Sequence, residues 1–555
     1  MTDDPSAPEP AAQTTPARTV RGTGRMAAGL VAAGIFLSRV AGFIRGRVLA
    51  HFLGQGDAAD AFGAALRIPN LLQNLFGEGV LSASFIPVYA GLLGQGEEEE
   101  AGRVAGVVAT VLALVVAVLV ALGMAGTPFL IGVIAPGFTG EKREVTIQLV
   151  RIMFPGMGLL VLSAWCLGIL NSHRRFFLAY VAPVMWSAAM IAAMLLFGKG
   201  KELYPLAAVV AVGATVGSAL QLAIQLPTVF RLLRGFRPSL DLSSPPVRQV
   251  LRNFGPVVLA RGVVQISAYV DQLIASFLGQ GAVAALLNAQ MIYTLPVSLF
   301  GMAVSASELP EMSRAVGSQG GSQGGSDDEV AAYLRGRLAA GLRRIAFLVV
   351  PSAVAFLALG DLIAALVFQT GRFRYGDAVY VWAILAGSAV GLLASTMGRL
   401  YSSAFYALRD TRTPLRFAVV RVALTTGLGY LCALPLPRAL GIDPRWGAAG
   451  LTASAGLAGW VEFLLLNRSL GSRIGPARPP GGLLLRLWAV ALAAAAGAWG
   501  VKLALGHDHP LVVGTLALGL FGLVYLGGTH LLDIPEAKGT FGAVLGRLGR
   551  FGRHR

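Results

Sequence analysis

The sequence predicts an all-α polytopic membrane protein of about fourteen transmembrane helices, in two pseudo-symmetric six-helix lobes followed by two C-terminal helices. Three observations predict it. The 555 residues are 55% hydrophobic and only 13% charged, against roughly 25% charged in a soluble domain. The 71 Gly and 28 Pro punctuate long apolar runs, as in membrane helices. Two short motifs also recur in register across half the chain.

The elements follow in order. Residues 1–25 are rich in Pro, Ala and Thr and then basic (Arg18, Arg21, Arg25), which reads as a disordered cytoplasmic arm. The apolar run after it continues through Arg39 and Arg45 without a small-residue cleavage site, so no signal peptide is expected. A span needs about 20 mostly apolar residues. The stretches that qualify are 26–50, 58–92, 102–126, 146–171, 177–197 and 204–230, which make an N-lobe over 26–235. Those at 249–278, 282–312, 340–365, 378–406, 415–437 and 446–469 make a C-lobe over 245–470. Two more, at 481–505 and 510–532, fall in 480–535, and a basic tail closes the chain at 536–555. PFLIGVIAPGF, at 128–138, either extends the third span or forms an external turn.

Lys and Arg set the orientation. With the N-terminus inside, cytoplasmic segments carry Arg174, Arg175, Arg231, Arg234, Arg237, Arg248, Arg314, Arg335, Arg337, Arg409, Arg412, Arg468, Arg473, Arg478 and the tail. The other side carries only Lys142, Arg143, Lys199, Lys201, Arg372, Arg374, Arg438, Arg445 and Lys502. Both termini are therefore expected in the cytoplasm. This distribution accounts for the net charge of +17 without nucleic acid, for which no motif is present. Cys166 and Cys432 lie in apolar runs, and the six His form no metal-binding spacing.

FLGQG stands at 52–56 and again at 277–281, and SASxxP at 82–87 and 305–310, offsets of 225 and 223 residues. The repeat unit holds six spans, an even number, so both copies share one orientation. Two lobes then face each other about an axis along the membrane normal, with a site between them near the midplane.

The first two spans carry charges that a bilayer does not tolerate idly. Arg39, Arg45 and Arg47 interrupt the first, and Asp60, Arg67, Asn70, Asn74 and Glu78 recur along the second. Such residues normally face a bundle interior or a wet cavity. Asp60 and Arg67, seven residues apart, share a helix face and could pair internally, while Arg47 could snorkel to the outer interface. Arg39 and Arg45 have no acid within one turn. An arginine-lined cavity suits phosphate, which guanidinium grips through two planar hydrogen bonds. Pro69 should kink the second span. Span 7 repeats the theme with Arg261, Gln265 and Gln272 on one stripe and Asp271 beside it. Glu308 and Glu311 flank Pro310 as a gate or a loop anchor, and Arg399 and Glu462 are single intramembrane charges. No nucleophile–base pair, catalytic carboxylate pair or phosphate loop emerges, so no enzyme is expected.

The stretch from SRVAGFIRGRV to SASFIPVYA, with APGF at 135–138, GILNSHRRFFLAYVAP at 168–183, LPVSLFGMAVSASELPEMS at 295–313 and FYALRDTRTP at 405–414, resembles the MurJ (MviN) family of lipid II flippases. The resemblance runs from about residue 26 into the twelfth span. It implies a V-shaped central cavity between two lobes, and two extra helices that form a groove for a polyprenyl tail. It also implies a cargo of undecaprenyl-pyrophosphate-linked disaccharide-pentapeptide, moved between leaflets of the bacterial cytoplasmic membrane by alternating access. Arg39 and Arg45 match the family's first-helix cavity arginines, Asp60 its acid, and Glu78 the acid of its FxEG motif, while Arg67 stands where a basic residue is common. Three positions depart: Gln73 and Met291 replace arginines, and Gly46 replaces an acid. Arg261 is the expected substitute.

The partners implied are lipid II, the bilayer and other peptidoglycan-synthesis proteins. Another polyprenyl-linked glycan is the alternative cargo, and a membrane-embedded glycosyltransferase a more distant reading. No cofactor is expected. The driving force is either the membrane potential or a monovalent cation held by Asp271, Asp410, Val422 and Thr426; capping of a helix end by Asp410 is the competing reading.

Overall fold

The computed structural model describes residues 20–317, 327–477, 481–506 and 510–538. Within them, the side chains of 20–32, 259–268, 317 and 327 are outside the description, as is the tail from 539 onward. The described residues are helical almost throughout. Without water to satisfy backbone N–H and C=O groups in hydrocarbon, each apolar run must close its own hydrogen bonds.

Among the described residues, fourteen long rods follow one another. The first six are α1 (Val20–Leu53), α2 (Asp57–Gly94), α3 (Glu98–Ala125), α4 (Gly140–Ser172), α5 (Phe176–Phe197) and α6 (Leu203–Leu232). Next come α7 (Pro245–Ser276), α8 (Ala282–Val316), α9 (Asp328–Phe368), α10 (Tyr375–Ala407), α11 (Arg412–Ala439) and α12 (Pro444–Ile474), then α13 (Gly481–Leu505) and α14 (Pro510–Leu531). Twelve of the rods are long and apolar enough to cross a membrane; α1 and α7 contain the undescribed side chains. Within the described residues α1 already includes Val20, inside the stretch expected as an arm. A short helix, Thr127–Ile134, fills the segment between α3 and α4 that the sequence left open.

Two breaks matter for the site. Pro69 lies within an unbroken helix, Asp57–Phe76, and α2 breaks instead at Gly77. A Cβ there would lie 2.3 Å from the Gln73 carbonyl oxygen, so only glycine fits this approach. In α8, Pro296 precedes a π-helical turn, Val297–Met302. Proline cannot donate to the carbonyl four residues back, and the wider turn accommodates the fault.

Two apolar cores organise the bundle. One gathers side chains of α1–α6 with the first turns of α7, from Leu53 to Val250. The other gathers α7–α14 and takes in Ala50, Ala64, Ala135 and Phe138 from the first half. Those four lie where the halves touch at the end of the bundle where α1 finishes, here termed distal. The halves also touch toward the opposite, proximal end, where α2 finishes: there the first turns of α7 join the first core and the Phe254 ring meets that of Phe76.

The FLGQG copies also meet at the distal end. A Cβ on Gly281 would lie 2.8 Å from the Gln55 carbonyl oxygen, and one on Gly56 would lie 3.5 Å from Gln280 Nε2. Gln55 corresponds to Gln280 in the repeat and Gly56 to Gly281, so the two contacts are reciprocal.

Candidate functional site

Between the halves lies a cavity of about 830 Å³, walled by α1, α2, α4, α5 and α6 on one side and α8 on the other. Arg39, Arg45, Gln73 and Glu78 line it from the first half, and Gln290 and Met291 from the second. The expected arginines Arg39 and Arg45 thus come together at one wall, and the break at Gly77 sets Glu78 in the cavity mouth.

Arg45 is held from α5. Its Nη1 donates to Ser187 Oγ at 3.3 Å, and its guanidinium carbon stands 4.4 Å from the centroid of the Trp186 ring. Gly34 permits this: a Cβ there would lie 2.8 Å from Tyr180 Cβ, so α1 and α5 press together. Arg67 is not in the wall. Its Nη2 donates to Gln290 Oε1 at 2.6 Å, and its carbonyl accepts from the Tyr269 hydroxyl at 3.1 Å. Asn70 is half-buried and likewise outside the lining. The side chain of Arg261 lies outside the described residues.

Asp60 does not reach the cavity and does not pair with Arg67. It is fully buried at the distal end, where Lys142 Nζ donates to it at 2.7 Å and to Asp57 at 2.8 Å. Its other contacts cross to the second half: Oδ2 accepts from the Gly281 N–H at 2.7 Å and Oδ1 from the Ala284 N–H at 2.8 Å. Asp60 therefore caps the start of α8, whose first N–H groups have no partner within the helix.

Other ties close the same end. Arg47 donates to the Leu366 and Val367 carbonyls at 2.7 and 2.9 Å, where α9 finishes and its carbonyls lack helical partners. His51 Nδ1 and Thr370 Oγ1 share a hydrogen bond of 2.9 Å, and the Arg372 N–H donates to the His51 carbonyl at 2.9 Å. Arg47 is thus a tie between the halves rather than a snorkelling side chain. Sequence reasoning missed Lys142, Trp186, Ser187 and Gln290, because each acts on a residue from a remote helix.

Two departures prove to be one. A Cβ on Gly46 would lie 3.0 Å from Met291 Sδ, so the position expected to be acidic faces the position expected to be basic. The chain places a neutral contact where two opposite charges would meet.

The residues expected to share a cation are not brought together. Asp271 lines a separate cavity of about 150 Å³ with Gln290, Tyr293 and Arg421. Asp410 caps α11 instead, accepting from the N–H groups of Arg412 and Thr413 at 3.0 Å each, and pairs with Arg473 at 2.8 Å. Thr426 is exposed and bonds the Val422 carbonyl. Sixteen residues of mostly helical chain separate 410 from 426, a rise of roughly 24 Å. Glu308 is buried and pairs with Arg337 at 2.8 Å, and Glu462 pairs with Arg421 at 3.0 Å.

The architecture is that of a two-lobed membrane bundle with an arginine-lined cavity between its lobes. The same fold occurs in the inward-facing conformation of a multidrug resistance MATE family transporter of the MOP superfamily (TM-score 0.62, 17% identity, 79% of this chain and 95% of that one). It matches further a structure titled "Lipid II flippase MurJ, inward closed conformation" (TM-score 0.72, 22% identity, 91% and 98%). The chain belongs to the MurJ family: the family model "Lipid II flippase MurJ" matches residues 49–522. Relatives include a probable lipid II flippase MurJ of Rhizobium meliloti, 34% identical over 440 residues (78% of each chain). The lipid II flippase MurJ of Burkholderia cenocepacia is 32% identical over 443 residues (79% and 82%).

Proposed function

We propose that this chain is a lipid II flippase, not an enzyme, and that it carries the undecaprenyl-pyrophosphate-linked peptidoglycan precursor from the inner to the outer leaflet of the bacterial cytoplasmic membrane. Arg45 is the observation that carries this reading: a guanidinium in the cavity wall held by an aromatic face and a serine, with donors to offer an anion. Arg39 lies beside it, and Arg67 stands behind Gln290 as a further cation for the pyrophosphate. Basic residues near the proximal end support a cytoplasmic location for that end and for both termini. The cavity then receives cargo from inside while the distal ties keep the outer end shut, and transport proceeds by exchange of these contacts for proximal ones. The membrane potential is the driving force we assign, since outward movement of an anionic headgroup releases about 2.3 kcal/mol per charge per 100 mV.

The test is translocation of fluorescent lipid II in proteoliposomes under an imposed potential. Wild type should move the lipid without consuming it, and Arg45→Ala should not. Equal transport by Arg45→Ala, or chemical turnover of the lipid, would defeat the reading.

A further inference from the structure

Several intramembrane cations among the described residues are held by acids. Lys142 pairs with Asp57 and Asp60, Lys502 with Asp361, and Arg421 with Glu462. Arg45 is held in another way. Among the described residues no carboxylate pairs with it, and its contacts are the Trp186 ring and Ser187 Oγ. Two donors on this wall, Arg45 Nε and Trp186 Nε1, are buried and have no acceptor. Pro183 opens the second segment of α5, Pro183–Phe197, and puts Trp186 at the end of its first turn and Ser187 just after, both beside the cavity.

We propose that Trp186 is a positioning residue for the anionic headgroup. Its π face keeps Arg45 charged and oriented in the wall in place of a carboxylate. The proposal rests on the headgroup reading above.

The reason lies in how the two kinds of counter-group act. A carboxylate would hold Arg45 more strongly, but it would accept the guanidinium N–H groups and cancel the charge. An incoming phosphate would then have to displace it. An aromatic ring stabilises the cation through the negative face of its quadrupole and accepts none of the in-plane N–H groups. The cation is thus tolerated in a low-dielectric wall while its donors stay uncommitted. Ser187 fixes the rotation of the guanidinium about the stacking direction through one weak bond.

The experiment measures binding of a polyprenyl pyrophosphate to the purified full-length protein in detergent, with the matching polyprenol as the control for the tail. Position 186 is varied as Trp186→Phe, Trp186→Leu and a series of site-specifically incorporated mono-, di- and trifluorotryptophans. Fluorination drains the ring quadrupole while the shape and N–H are largely retained, a change that packing alone would not register. Wild type should prefer the pyrophosphate lipid to the alcohol. Trp186→Leu should bind the pyrophosphate lipid about tenfold more weakly, and affinity should fall stepwise with fluorination while polyprenol binding stays constant. Affinity that is flat across the fluorinated series, or a Trp186→Leu variant as tight as wild type, overturns the proposal and leaves the headgroup reading standing. A wild type that does not distinguish pyrophosphate from alcohol overturns the headgroup reading, and this proposal with it.

Discussion

Removing the Asp60 carboxylate would leave two N–H groups at the start of α8 without their buried acceptor, and Lys142 Nζ with Asp57 alone. Breaking a buried pair by deleting one partner costs about 3–5 kcal/mol. Asp60→Ala should therefore lower the melting temperature of the detergent-purified protein steeply, and Asp60→Asn, which keeps one acceptor, by less. An unchanged melt for Asp60→Ala would mean that the distal tie contributes little. The Gly46–Met291 contact gives a second prediction. Met291→Arg alone buries a charge facing Gly46, whereas adding Gly46→Asp supplies its partner. The double variant should be more stable than the sum of the singles predicts, by about 1–3 kcal/mol; strict additivity in a double-mutant cycle of melting would refute the adjacency. At this scale the sequence reveals where charges sit in apolar runs, as with Arg39 and Arg45. It does not reveal partners, because Trp186 and Lys142 come to their arginine and aspartate from 141 and 82 residues away, and nothing in an apolar helix marks one tryptophan as a counter-group.

Among the elements, α13 is fastened to the second lobe by a polar cluster rather than by packing alone. Lys502 Nζ donates to Asp361 Oδ2 at 2.6 Å, the Tyr375 hydroxyl donates to the same oxygen at 2.6 Å, and Trp499 Nε1 donates to the Ala358 carbonyl at 2.8 Å. Lys502→Ala leaves Asp361 a buried charge and should destabilise by about 3 kcal/mol, with partial recovery on adding Asp361→Asn; melting curves of the two variants decide it. The cap on α11 yields a pH dependence. Hydrogen bonds from Thr413, side chain first and then backbone, hold the Asp410 carboxyl below its ordinary range. A depressed carboxyl contributes stability that is complete above its unfolded pKa and is lost as pH falls through its folded one. Protection of the α11 N-terminus from hydrogen exchange, corrected for the intrinsic rate, should thus hold at neutral pH and weaken in strong acid. Asp410→Asn should abolish that trend. Element positions were legible because hydrocarbon enforces continuous apolar helices. Breaks were not: Pro69 is carried within an unbroken helix, while Gly77 breaks α2 through a close approach that composition does not encode.

For the whole molecule, the distal ties must open if cargo is to leave outward. Cysteines at Gln55 and Gln280, bridged by a short bifunctional reagent, should stop transport while leaving headgroup binding intact. Continued transport in a fully crosslinked sample would mean that this end does not open. The two-lobe plan could be anticipated because FLGQG and SASxxP recur at matched offsets. That the copies of FLGQG touch could not, since an offset states equivalence and not proximity.

That contact has a further consequence. Reciprocal pairing of equivalent residues, Gln55 with Gly281 and Gln280 with Gly56, is the signature of an isologous interface, the kind two identical subunits make around a two-fold axis. At this seam the two lobes meet much as two subunits of a dimer would, and the extended segment between α6 and α7 joins them. Continuity of the backbone there serves stoichiometry and effective concentration, not geometry. Two polypeptides cut at 240/241 and produced together should find each other in the membrane and copurify as a working pair, whereas neither alone should survive.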